Sequence, residues 1–209
     1  MLILFDGPES AGKTTISHRL VEHLKSSGVN ALYVREPGGN AVCEAIRTVL
    51  LNPQHKGMEP LTEFFLFLAS RAQVLSAVVR PALAASTTVV LDRYSLSTMA
   101  YQIAGRGLPL ALCLSALELA TKGLVPDKTF LLTCTYETSR ARQEAQGKKL
   151  DRLEQEGESF HRRVIGAYEG FARLLPDWNI ANIATDGFSL DGVFHRVLES
   201  LRADEGVID

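Results

Sequence analysis

This sequence has little of what would tie a chain to an oxidising, membrane or nucleic-acid setting. It holds three cysteines, Cys43, Cys113 and Cys134, widely spaced and odd in number. They form no metal or redox motif and read as small buried residues of a reducing compartment. Charge of one sign is also missing: 22 Lys and Arg against 24 Asp and Glu leave a net −2. A broad nucleic-acid surface is thereby excluded, and any positive site has to be local. The apolar run over residues 2–5 stops at Asp6 with no basic segment before it. That is too short for a signal peptide or a membrane span. The five histidines lack ligand spacing, and there is no repeat, low-complexity tract or long linker. What remains is an ordinary composition over 209 residues, read as one cytoplasmic domain, residues 1–209, able to bury a core.

What is present begins at once. Residues Gly7, Pro8, Glu9, Ser10, Ala11, Gly12, Lys13, Thr14 and Thr15 follow the apolar run and precede a helical pattern carrying Ile16, Leu20, Val21 and Leu24. Glycine, four residues, then Gly-Lys-Thr between strand and helix is a phosphate-binding loop. Its glycines let the backbone curl so that amide N–H groups face an anion, and the helix adds the positive end of its dipole. Lys13 supplies a cation for the outer phosphates, and the Thr14 hydroxyl is placed to serve magnesium. The motif says that nucleotide phosphate is bound; it does not say what happens to it.

Strands are expected at 2–6, 30–35, 87–92, 128–134 and 179–184. Helices are expected at 13–27, 40–51, 61–85, 94–104, 109–122, 136–146, 153–174 and 189–202, with Pro81 kinking or shortening the third. Strands separated by helices imply an α/β fold, a parallel sheet covered on both faces, with ligands beyond the carboxyl ends of its strands.

Other segments add chemistry. Asp92 and Arg93 end an apolar strand, where an acid can hold magnesium or its water and a guanidinium can grip phosphate. Arg35-Glu36-Pro37-Gly38-Gly39 makes a tight turn. Phe67 and Arg71 lie one helical turn apart, an aromatic plane beside a donor that suits a nucleobase, while at least one of Phe64, Phe65 and Phe67 belongs to the core. Ser97, Tyr101 and Gln102 follow Arg93, and the Gln102 amide suits a pyrimidine edge. Arg140, Arg142, Lys148, Lys149 and Arg152 surround a polar loop, a pattern fit for a closing lid at 140–153.

Taken together, the phosphate loop with Glu9, the Arg35–Gly39 turn, Phe67 with Ser70-Arg71-Ala72-Gln73, Asp92-Arg93-Tyr94-Ser95, Ala100-Tyr101-Gln102, Pro126-Asp127 and Asp151-Arg152-Leu153-Glu154 resemble the bacterial-type thymidylate kinase family along nearly the whole chain. The resemblance implies a three-layer P-loop NTPase fold with a five-stranded parallel sheet. It implies transfer of the terminal phosphoryl of ATP to dTMP with Mg2+, and a homodimer. By position, Gly7 to Thr15 hold the donor phosphates, and Thr14 and Asp92 serve the metal. Glu9, Arg35, Phe67, Arg71, Arg93, Ser97, Tyr101 and Gln102 form the dTMP site. The loop has no arginine between its glycines, so the transition-state cation is expected from the lid, with Arg142, Lys148, Lys149 and Arg152 as candidates beside Lys13, Arg93 and Glu9. Three positions depart from the pattern: Ser10 for glycine, Asn40 for threonine and Thr133 for aspartate. A kinase for another nucleotide or nucleoside, or a nucleotide-operated switch, are the competing readings.

Overall fold

The computed structural model describes residues 1–147 and 149–203. Five strands, β1 Leu2–Asp6, β2 Ala31–Arg35, β3 Thr88–Asp92, β4 Lys128–Thr133 and β5 Ile180–Ala184, lie in the order β2-β3-β1-β4-β5. All neighbours are parallel. The near-continuous apolar runs follow from this, because a parallel sheet is covered on both faces. Alternation along β1 divides the core: Leu2 and Leu4 face one apolar cluster, Ile3 and Phe5 the other. The central strand β1 and its neighbour β3 end side by side, with Phe5 in register with Asp92. Their carboxyl ends bring the phosphate loop next to Asp92 and Arg93.

The helices are α1 Lys13–Ser26, α2 Ala41–Leu51, α3 Pro60–Val74, α4 Arg80–Ala84, α5 Ser95–Thr98, α6 Leu110–Thr121, α7 Tyr136–Gln146, α8 Glu158–Ala172 and α9 Leu190–Ala203. Three differ from the sequence expectation. α3 does run on into α4, but through a widened turn at Leu75–Val79 just before Pro81. A wide turn takes up the proline ring and its missing N–H. A second wide turn, Met99–Gly105, continues α5 and carries Tyr101 and Gln102. Gly105 there lies against α8, where an added Cβ would stand 2.6 Å from the Phe160 ring. The helix expected from 153 starts only at Glu158, because Asp151 Oδ1 accepts from the amides of Leu153 and Glu154 and closes a local turn. The 25-residue stretch Pro60–Ala84 is long and apolar enough to cross a membrane, yet it carries buried Glu63 and Arg71 in ion pairs within the protein.

Candidate nucleotide site

The carboxyl ends of β1, β2 and β3 open into one cavity of about 960 Å3, walled by Glu9 to Thr15 at one end and by Phe67, Arg71 and Gln102 at the other. The phosphate loop sits where only its sequence can go. Gly7 has φ +139°, and an added Cβ would lie 2.0 Å from the Leu132 carbonyl oxygen. Gly12 takes a left-handed conformation at the start of α1. Ser10 is also left-handed, at φ +54°, which gives the physical reason that glycine suits this position. Gly7 and Pro8 lie behind the cavity lining, and the Lys13 ammonium donates to the Pro8 carbonyl. Burial first, then the nearby Arg93 charge, lower the Lys13 pKa to about 8 against the pull of Glu9 and Asp92. Polyphosphate beside it would favour the charged form.

Behind the loop, Asp6 is a fully buried organiser. Its Oδ1 accepts from the Gly7 amide at 2.8 Å and from Ser97 Oγ, and its Oδ2 from the amides of Tyr94 and Ser97. The Tyr168 hydroxyl donates to the Gly7 carbonyl at 2.9 Å. These bonds lock the end of β1 to the turn after β3. Asp6 ends the apolar run that opens the sequence; Tyr168, 161 residues from its partner, left no local signal.

Asp92 Oδ2 accepts from Thr14 Oγ1 at 2.6 Å and from the Tyr33 hydroxyl at 3.1 Å. Asp92 Oδ1 is buried with no hydrogen-bond partner among the described residues. A hard cation, directly or through water, would satisfy that atom, so the Thr14–Asp92 pair fits magnesium. Arg93, held at φ +74°, pairs with Glu9 at 2.7 Å and donates to Ser97 Oγ and the Gly7 carbonyl. Although burial opposes it, Glu9 first among its neighbours keeps the guanidinium charged. The Tyr101 hydroxyl donates to Glu9 Oε1 at 2.9 Å, and burial with the Glu9 charge pushes its pKa up, so it stays a neutral donor. Ser97 therefore supports Asp6 and Arg93 at the edge of the cavity that it lines.

At the far end, Phe64 is core, Phe65 is 55 % exposed and Phe67 lines the cavity. Arg71 is buried, bonded to Glu36 at 2.6 Å and to Thr98 at 2.9 Å, with its guanidinium 5.1 Å from the Tyr94 ring centroid. Arg35 also reaches the cavity, held by both Glu44 oxygens. Arg47, which the motifs gave no reason to single out, lines the same wall and donates to the Pro37 carbonyl.

The lid candidates separate. Arg142 lines the cavity and bonds the Ser10 carbonyl, Thr185 Oγ1 and the Thr185 carbonyl, next to the phosphate loop. Arg152 does not fit the expectation of a cleft cation. Its Nη1 meets Glu63 at 2.7 Å and its Nε the Leu50 carbonyl at 2.7 Å, buried and outside the cavity lining. The last carbonyls of α2 and the buried carboxylate draw it inward. Lys149 is exposed, and Lys148 lies outside the described residues. Of the departures, Asn40 caps α2 through a bond from the Cys43 amide, a role that threonine also fills, somewhat less well. The Thr133 backbone carbonyl bonds Thr185, and the residue lies outside the cavity lining.

Comparison with known proteins agrees with this architecture. The family model described as thymidylate kinase matches residues 5–188. A thymidylate kinase of Pseudomonas fluorescens is 41% identical over 208 residues, covering 97% of this chain and 98% of its own length. One of Exiguobacterium is 43% identical over 178 residues, covering 85% of this chain and 82% of its own. The crystal structure of thymidylate kinase from Ehrlichia chaffeensis superimposes with a TM-score of 0.77 at 27% identity, covering 97% of this chain and 98% of that one. Its P-loop NTPase fold is the fold seen here. On sequence, fold and site geometry alike, the chain belongs to the thymidylate kinase family.

Proposed function

We propose that this protein transfers the terminal phosphoryl of ATP to dTMP, giving dTDP and ADP. The observation that carries this reading is continuity: a phosphate loop and a pocket bounded by Phe67, Arg71 and Gln102 open into a single cavity, with Arg93 between them. ATP phosphates would lie on the loop amides and Lys13. Phe67 would face the thymine ring, Arg71 would donate to its carbonyl, Tyr101 would stand by the deoxyribose, and Arg93 and Arg35 would receive the acceptor phosphate.

Magnesium, when bound at Thr14 and Asp92, offsets phosphate charge. The chain's own residues do the rest. Lys13 holds the donor, and Arg93, steadied by Glu9 and Ser97, brings the acceptor oxygen into line against charge repulsion. Arg142 supplies a further cation at the loop. A phosphate monoester is largely ionised near neutral pH, so no general base is required. Closure of segment 140–153 would exclude water.

A nucleotide-operated switch needs no second subsite, whereas Arg71, Arg93 and Gln102 build one. We further propose a cytoplasmic homodimer; exposed Phe65 on α3 and Leu119 on the adjacent α6 give an apolar surface for it.

The test is a coupled assay of ADP formation with ATP and a panel of nucleoside monophosphates. Turnover strongest with dTMP supports the reading, and a preference for another monophosphate would transfer the activity to that nucleotide. Slow ATP hydrolysis indifferent to any acceptor would favour the switch.

A further inference from the structure

Glu63 is a fully buried carboxylate that no phosphate, metal or base contact calls for. Its Oε1 accepts from Gln102 Nε2 at 2.8 Å and from Arg106 Nε at 3.1 Å. Its Oε2 accepts from Arg106 Nη2 at 2.9 Å and Arg152 Nη1 at 2.7 Å. Burial alone would raise its pKa, but bonds from Arg106 and Gln102 and the charges of Arg106 and Arg152 hold it below the usual carboxylate value. Glu63 is therefore an acceptor only.

That fixes something a sequence cannot. An amide side chain can be turned either way, and its two ends are chemically opposite. A carboxylate admits only the NH2 end, so the Gln102 oxygen is left for the cavity that Gln102 lines. Taking the pocket assignment above as its basis, we propose that Glu63 is a positioning residue for base selection. It presents an acceptor to the ring nitrogen of the incoming pyrimidine, which favours the N3–H of thymine or uracil. The bare N3 of cytosine would set two acceptors against each other, with one left unpaired. The same carboxylate grips Arg152, whose main-chain amide also bonds the Leu51 carbonyl. One buried charge thus joins the amide that reads the base to the root of the 140–153 segment.

The experiment compares kcat/KM for dTMP and dCMP in the wild-type protein and in Glu63→Gln. Arg71 opposes the cytosine amine equally in both proteins, so a change in the ratio reports the Gln102 amide. The expected result is a dTMP-to-dCMP preference that falls at least tenfold, through KM of the acceptor, with KM for ATP unchanged. Equal loss for both acceptors at a constant ratio means a structural role and overturns the proposal. If Glu63→Gln does not fold, Glu63→Asp keeps the buried negative charge beside Arg106 and Arg152 while its shorter side chain draws the carboxylate back from Gln102, and the same ratio decides. The pocket assignment is tested separately with 3-deazathymidine monophosphate, which lacks the N3–H. Wild-type binding equal to that of dTMP would sink that assignment. Weakened binding with a ratio unmoved in both variants would sink only the role of Glu63.

Discussion

The Arg93 guanidinium lies 2.7 Å from the Glu9 carboxylate across the mouth of the phosphate loop. The pair is only partly exposed, and it joins the loop to the end of β3, the two elements that a donor and an acceptor phosphate would each approach. Glu9 is the anion that keeps Arg93 in place. On the proposed function, removing the guanidinium takes away a preorganised donor from the place where the phosphoryl group would be transferred. Arg93→Ala is expected to lower kcat about 100- to 1000-fold with little change in ATP affinity. Single-turnover kinetics with saturating dTMP and ATP will check this, and a kcat within a fewfold of wild type would remove Arg93 from the reacting centre.

Arg142 and Arg152, ten positions apart in the same polar segment, are expected to fail in different ways. Arg142→Ala removes a cavity cation bonded to the Ser10 carbonyl, so the chemical step slows while the melting temperature holds. Arg152→Ala leaves Glu63 short of a buried partner, and breaking such a pair costs about 3 kcal/mol or more. Urea unfolding of both variants beside their turnover separates the two roles. Loss of the chemical step in Arg152→Ala at full stability would return that residue to catalysis.

The thiols are expected to be inert in the folded protein. All three are buried, and burial raises each pKa, that of Cys134 to about 11. At pH 8 a thiol with that pKa is roughly one part in a thousand thiolate, the reactive form. Its neutral form favours the fold below the unfolded thiol pKa of about 8.5, and that contribution is lost as pH rises through 11. Alkylation followed by mass spectrometry at pH 8 tests this, with slow labelling in native protein and rapid labelling in urea. Fast native labelling of Cys134 would show that its pocket opens.

Much of this was legible from local spacing. The phosphate loop, the five strands and the placement of Phe67 and Arg71 along one cavity rest on residues close in sequence, where periodicity and chain geometry act directly. The wide turns at Leu75–Val79 and Met99–Gly105 were not legible, because each depends on how a helix meets a proline or a neighbouring ring. Arg152 misled for a related reason: a cation in a polar run reads as free to reach the cleft until its partner is known, and Glu63 lies 89 positions away. Asp6 closes the first expected strand, but its grip on Ser97 spans 91 positions. Long-range polar partners decide which of several equivalent charges face the cleft, and no local pattern encodes them.

Gly7 gives the sharpest test of the loop itself. Its backbone is in a region that side chains rarely enter, and the Leu132 carbonyl occupies the space a methyl group would need. The obstacle is main chain of β4, which cannot swing aside as a flexible side chain can. Overpacking costs about 1–3 kcal/mol and left-handed backbone about 1–2 kcal/mol for a residue with a Cβ. Gly7→Ala is therefore expected to lose about 3 kcal/mol of stability by the sum of those terms, along with most ATP binding, because the loop would have to move off Asp6. Gly187→Ala is the control: it also has positive φ, at +72°, but nothing stands within 4 Å of its added Cβ, so only the smaller backbone cost applies. Equal destabilisation of the two variants in urea titrations would mean that contact with Leu132 contributes nothing, and that backbone conformation alone makes Gly7 necessary.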